Sequence, residues 1–229
     1  MYLSRLILNP RSRQVRNELA DPYEMHRTIC KAFPDGLFKV ERGVENAANV
    51  LFRVDLQPRT GVPTLIVQSH QRPEWSFLLA NRKDYLLRGN DLPRDVENPA
   101  IKELNLHFYE GQLLAFRLRA NPTVKKGREG KRQGQRLGLL REEDQRNWLE
   151  RKFEFAGAAL INVNIVNEQF TCGKLFKEQE EKKRMYFLSI QFDGILQVKD
   201  RNKLMSNIAT GFGSAKGFGF GLLSLARTA

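Results

Sequence analysis

Cysteine and histidine are both scarce in this chain. The two cysteines, Cys30 and Cys172, stand far apart and outside any C-x-x-C or His-paired spacing. They exclude a disulfide scaffold and a cysteine zinc site, and they suit a reducing compartment, so the expected location is the cytoplasm. The three histidines, His26, His70 and His107, have no Asp, Glu or Cys at a converging ligand spacing, so neither metal nor cofactor is expected. No apolar run is long enough to span a bilayer, and no lipidation signal or long basic amphipathic helix is present. A membrane partner is therefore set aside. Residues 2–8 alternate and are too short for the apolar part of a signal peptide, so none is expected.

Acidic residues are the other deficit. Against 38 Lys and Arg stand 26 Asp and Glu, which gives a net charge of +12. A balance this basic points to a polyanionic partner, nucleic acid before any other. What the chain does hold is enough apolar material for a core, 41% of 229 residues, in one large domain or two small ones.

Read in order, the first half is β-α-β-β-(α)-β. It runs as a strand over 2–8, a polar loop carrying Arg11, Arg13 and Arg16, a helix over 21–33, strands over 50–56 and 64–69, a short helix near 75–80, and a strand over 101–108. The main helix is well marked: Asp21 is placed to cap it, Pro22 fits its first position, and Glu24 completes a capping box. Met25, Ile29, Ala32 and Phe33 form its buried stripe. The second half repeats the order. A strand over 112–120 leads to a basic loop over 123–136 and a helix over 141–155. Strands over 158–166 and 185–192 follow, with a continuation over 195–198. A helix capped by Asp200 and a last strand over 220–225 end the chain. The class is α+β, as two tandem ferredoxin-like (RRM-like βαββαβ) domains. They are expected over 1–95 and 101–229, with the strand at 101–108 able to complete the first.

The last of these segments opens on G-F-G-S-A-K-G-F-G-F-G-L-L-S-L, residues 211–225. Glycine at this density serves positive φ or close backbone approach. Free amide N–H groups in such a loop form concave anion sites, so Gly213, Gly217, Gly219 and the cation Lys216 read as a phosphate cradle. The other reading is a turn feeding a buried strand. The K-G-F-G-F segment matches the start of the RRM aromatic strand motif but fails at Gly221 and Leu223, and too little chain follows it.

Among the titratable residues, His26 differs from His70 and His107 because Tyr23 stands one helical turn away and Arg27 and Lys31 flank it. An imidazole exchanges protons near neutral pH, a tyrosine hydroxyl can donate to a reacting oxygen, and a lysine can balance charge on a phosphorane. These are the parts that metal-free RNA cleavage needs. A plain solvated helix face accounts for the same spacing.

Together M-Y-L-S-R-L, D-P-Y-E-M-H-R-T, F-R-L-R-A-N-P at 116–122, W-L-E-R-K and the terminal glycine-rich stretch resemble the CRISPR-associated CasE family. The resemblance implies two ferredoxin-like domains and metal-independent endoribonuclease activity. Precursor CRISPR RNA is then cut at the 3′ base of each repeat hairpin, leaving a 2′,3′-cyclic phosphate or its opened form. It puts the catalytic Tyr and His on Tyr23 and His26, with a supporting Lys31. RNA contacts fall on Arg117, Arg119, Lys125 and Lys126 beside Arg27, and a groove-inserting hairpin on Lys182, Lys183 and Arg184. The implied partners are the repeat RNA hairpin and the other subunits of a type I-E surveillance complex, with a monomer when free. A non-catalytic RNA-hairpin-binding subunit, and a structural ribonucleoprotein component suggested by charge alone, are the alternatives.

Overall fold

The computed structural model describes residues 1–34, 49–80, 84–92, 95–128, 131–167, 171–175 and 183–228. The chain forms two compact units. The first comprises Met1–Asn105, Cys172–Arg184 and Gly217–Gly219, and the second Leu106–Thr171, Met185–Lys216 and Phe220–Ala229.

In the first unit, β1 (Tyr2–Ile7) leads into α1 (Arg13–Ala20). The sequence pattern predicts a polar loop there. The helix escapes the pattern because it is only two turns long and its inward face carries Val15, the partly buried Leu19 and a buried carboxylate, Glu18, too short an apolar stripe to stand out. The next helix, α2 (Pro22–Cys30), starts as its signals predict, with the Asp21 side chain accepting from the Tyr23 N–H and Pro22 in the first turn. The predicted capping box does not form. The Asp21 N–H closes α1 on the Asn17 carbonyl, and the Glu24 carboxylate pairs with Arg27 instead. Then come β2 (Leu51–Leu56), β3 (Pro63–Ser69), α3 (Ser76–Ala80) and β4 (Ala100–Glu103). The predicted strand over 101–108 stops at Glu103 because its partner runs out. Glu103 pairs with Tyr2, and the Leu104 N–H takes the carbonyl of Met1.

These four strands form an antiparallel sheet in the order β2-β3-β1-β4. Its core gathers Leu6, Leu8, Met25, Ile29, Phe52, Leu65, Val67, Trp75, Leu78 and Tyr85. Met25 and Ile29 turn one side of α2 into that core, and Tyr23 and His26 are left half-buried on its flank.

The second unit begins with β5 (Leu113–Ala120). The predicted basic loop is a hairpin, β6 (Thr123–Arg128) and β7 (Lys131–Gly138), with Lys125 opposite Arg136. A ribbon that is polar on both faces has no alternation to read, and its backbone ladder holds it. Next in the chain are α4 (Glu142–Phe155), β8 (Ala158–Asn167) and a second ribbon, β9 (Thr171–Leu175) with β10 (Lys183–Phe187), of which Cys172–Arg184 count with the first unit. The single strand predicted over 185–192 is two: β10 ends at Phe187, and β11 (Ile190–Val198) begins after Leu188 and Ser189. Asp200 caps α5 (Arg201–Thr210) by accepting from the Asn202 and Lys203 N–H groups. The last strand, β12 (Leu223–Arg227), starts later than predicted, after a buried approach through Phe220 and Leu222.

The sheet order here is β12-β5-β11-β8. In both units the spatial order is second, third, first, fourth, which is the ferredoxin-like arrangement with helices in the crossovers. Among the described residues, no helix is long and apolar enough to cross a membrane.

Candidate active site and nucleic-acid interface

The three-residue spacing on α2 brings Tyr23 and His26 together, ring centroids 6.4 Å apart and tilted by 41°. Each ring has a second aromatic neighbour from elsewhere in the first unit. Tyr23 stacks on Phe218 at 5.8 Å, and His26 lies nearly parallel to Phe52 at 6.0 Å and 13°. Gly217 covers the imidazole edge: a Cβ built there would stand 3.5 Å from Cδ2 and 3.7 Å from Nε2 of His26. Gly219, at φ +84°, keeps the same strip of chain off Phe52, whose ring would be 3.2 Å from its Cβ.

Burial in this cluster lowers the pKa of His26 below 6.5, because the imidazolium loses hydration that the neutral ring needs far less. Cys30, one turn on, places its Sγ 3.7 Å from Nε2. Burial pushes that thiol up to about 11, so it stays protonated at neutral pH and cannot pair as a thiolate with an imidazolium. The result is a neutral imidazole, one turn from a phenol, with a glycine where another residue would set a side chain. That set can take a proton from a hydroxyl and return one to a leaving oxygen.

Lys31 and Arg27 line a different feature, a cleft of about 300 Å³ shared with Gln14, Asn17, Glu18, Glu24 and Thr28. It has no residue in common with the ring cluster. The Arg27–Glu24 pair, at 3.2 Å, is solvent-exposed and contributes little to stability. At its floor, Glu18 is buried and accepts from Gln14 at 2.6 Å, Thr28 at 2.7 Å and the Tyr85 hydroxyl at 2.5 Å. These bonds tie α1 and the segment at Tyr85 to α2, and so fix the helix that carries His26.

The other predicted RNA-contacting cations are distributed unevenly. Arg117 sits directly opposite Asp193 and grips it with two bonds of 2.7 and 3.0 Å. Arg119 donates to the Ser189 hydroxyl at 2.8 Å, and its guanidinium lies 5.5 Å from the centre of the Phe220 ring. Lys125 and Lys126 are exposed on β6. The Lys216 ammonium, by contrast, is half-buried against the Thr210 carbonyl at the end of α5. Its pKa is lowered by that burial and by the nearby Lys152. Gly213, at φ +78°, is packed against Trp148, which would lie 3.1 Å from its Cβ. The backbone of Lys183 and Arg184 lies in β10, whereas their side chains, and Lys182 entirely, are outside the described residues. Among the described residues no three His, Cys, Asp or Glu side chains converge to hold a metal ion.

A family model described as CRISPR associated protein matches residues 1–227. The chain is 35% identical to the CRISPR-associated endoribonuclease Cse3 of Thermus thermophilus, over 99% of this chain and 100% of that one. It belongs to the CasE/Cse3 family of type I-E CRISPR-associated proteins. A second relative, the Cascade subunit CasE of Escherichia coli, is 27% identical over 99% of each chain. Among solved structures, Thermus thermophilus Cse3 bound to an RNA representing a pre-cleavage complex superposes with a TM-score of 0.77 at 31% identity, covering 99% of this chain and 98% of the other. Cas6e from Escherichia coli superposes with 0.65 at 25% identity, both chains fully covered.

For a CasE/Cse3 chain, the expected Tyr–His pair was legible, but its surroundings were not. Phe52 and Phe218, which set the environment of the pair, carry no local signal, because both read as ordinary strand or loop apolars. Glu18 gave no signal either. Cys30 corrects the expectation that the cysteines stand outside any His-paired spacing: four residues after His26, it shares that helix face, with Sγ 3.7 Å from Nε2.

Proposed function

We propose that this chain is a metal-independent endoribonuclease that cuts precursor CRISPR RNA at the 3′ base of the repeat stem-loop and stays bound to the mature guide. The observation that carries the reading is the half-buried imidazole of His26 one helical turn from Tyr23, ring centroids 6.4 Å apart. Its lowered pKa keeps it in the proton-accepting form at neutral pH, so we assign it as the base. The 2′-hydroxyl gives its proton to His26 as its oxygen attacks the adjacent phosphorus. The P–O5′ bond breaks, the 5′-oxygen takes a proton from the Tyr23 hydroxyl, and a 2′,3′-cyclic phosphate remains. Lys31 is assigned to charge balance from the neighbouring cleft.

The two units are taken as the two domains of the reading, the first extended to include β4. Basic side chains grip the hairpin: Arg27, Arg117, Arg119, Lys125 and Lys126, with Lys182, Lys183 and Arg184 on the second ribbon. Gly213, Lys216, Gly217 and Gly219 belong to the same interface by assignment of the loop. The partners are the repeat RNA hairpin and the remaining subunits of a type I-E surveillance complex, in the cytoplasm, with a monomer before assembly. Support comes from relatives that carry the endoribonuclease name and have been solved with RNA.

The deciding experiment incubates the protein with a labelled repeat hairpin in excess EDTA. Cleavage in EDTA, lost in His26→Ala, is the expected result. Activity that EDTA abolishes and Mg²⁺ restores would overturn the metal-free assignment. Tight binding with no product would leave a hairpin-binding subunit without catalysis.

A further inference from the structure

A cavity of about 230 Å³ in the second unit has none of the residues assigned to proton transfer in its lining. It is lined by Asn121, Thr123, Lys125, Arg136, Trp148, Lys152, Gly213 and Ser214. Three cations therefore face one small space, and no Asp or Glu is among its lining residues. The register of the first ribbon sharpens the point, because Lys125 and Arg136 are direct cross-strand partners. Like charges so placed destabilise a strand pair unless an anion sits between them. Lys152 adds to the same field, since it also lowers the pKa of the Lys216 ammonium nearby. Among the described residues, no ion pair involves Lys125, Arg136 or Lys152.

The cavity walls also say what kind of anion fits. The Thr123 and Ser214 hydroxyls and the Asn121 amide add neutral donors suited to phosphate oxygens. A nucleobase would need an open aromatic face. The Trp148 indole is already stacked on Phe192 at 6.1 Å and 17°, with Lys152 Nζ 6.0 Å over its ring. The cavity volume is below the roughly 300–1,000 Å³ of sites that enclose whole organic ligands. Gly213 closes the wall on the indole edge, where a Cβ would stand 3.1 Å from Cζ2.

We propose that this cavity is a phosphate subsite that takes one phosphodiester of the bound RNA backbone, gripped by Lys125, Arg136 and Lys152 and indifferent to the base it carries. The inference rests on the reading of the chain as an RNA-binding protein and adds Asn121, Thr123, Arg136, Trp148, Lys152 and Ser214 to its interface.

The test uses a labelled repeat hairpin in which single phosphates are replaced one at a time by uncharged methylphosphonates. Affinities are measured for wild type, Lys152→Gln and Arg136→Gln at several salt concentrations. Both side chains are exposed, so the variants are expected to fold, which circular dichroism checks. Each variant should bind roughly tenfold more weakly. The slope of log K against log salt should become shallower by about 0.7–0.9. At one phosphate, the same in both variants, the methylphosphonate should weaken wild type and weaken each variant less, because two of the three cations remain in either variant. Base changes at that nucleotide should leave affinity unchanged. Unchanged slopes, methylphosphonate effects that add to both substitutions at every position, or a dependence on the base would each overturn the proposal. Failure of wild type to bind the hairpin is a separate result, and it overturns the RNA-binding reading itself.

Discussion

The imidazole of His26 lies almost parallel to the ring of Phe52, with centroids 6.0 Å apart and planes 13° from coincidence. That contact is part of the burial that lowers the pKa of the one histidine that the cleavage reading depends on. An apolar ring in place of water penalises the imidazolium and leaves the neutral base intact.

The first prediction is therefore a pH profile. Because the folded pKa of His26 lies below 6.5, the acid limb of kcat/KM should have its midpoint below that value. The rate falls as pH drops through the midpoint, where the base becomes protonated. Stability follows the same sign: the unfolded chain binds the proton more readily, so this contribution is complete above 6.5 and is lost as pH falls through the folded value. An acid limb centred above 6.5 would show that His26 is stabilised as a cation and is not the base.

Catalysis and binding should separate at this pair. His26→Ala should slow single-turnover cleavage by a factor of about 10²–10⁴, the usual size of a proton-transfer contribution. Hairpin affinity should stay within about threefold, since one ring adds little to an interface made mainly of phosphate contacts. Tyr23→Phe keeps the stack on Phe218 and loses only the hydroxyl, so it should slow cleavage less. Equal losses of affinity and rate in His26→Ala would make His26 a binding residue.

Two glycines of the terminal stretch should respond differently. Gly217 has ordinary room, 3.5 Å from the His26 ring, so Gly217→Ala should fold normally. Gly217→Val presses a branched side chain on the imidazole, and cleavage should fall while circular dichroism is unchanged. Gly219→Val meets both φ +84° and Phe52 at 3.2 Å, so it should cost about 1–3 kcal/mol in urea unfolding. Equal stability of the two valine variants would refute this division.

Glu18 offers a test at a distance from the chemistry. Tyr85→Phe deletes a buried hydrogen bond of 2.5 Å to its carboxylate and should cost about 1–3 kcal/mol, seen as a lower urea midpoint. Glu18→Gln turns an acceptor into a donor facing other donors and should cost at least as much. If either variant is as stable as wild type, the tie between α1 and α2 is weaker than its geometry indicates.

Much of this protein was legible because it depends on near neighbours in the chain. Asp21 with Pro22, and Asp200, announce helix starts through contacts that span two or three residues. Met25 and Ile29 mark the buried side of α2, and the same periodicity puts Tyr23 and His26 one turn apart. Element order then implied the ferredoxin-like sheets, since antiparallel strands joined by crossover helices have few alternatives.

What escaped depends on partners far along the chain. Glu18 reads as a surface charge until Tyr85 and Thr28 close over it, which is part of why α1 looked like a loop. The strands of the basic hairpin pair through backbone amides that no side-chain pattern reports. Lys216 carries its charge in any sequence reading, but packing directs the ammonium at the Thr210 carbonyl. The sequence by itself determined that a histidine stands one turn from a tyrosine in a strongly basic chain. Only the tertiary structure decided that the pKa of this histidine is lowered, because the shift comes from desolvation, and the residues around it, Phe52 and Gly217, reach it only through folding.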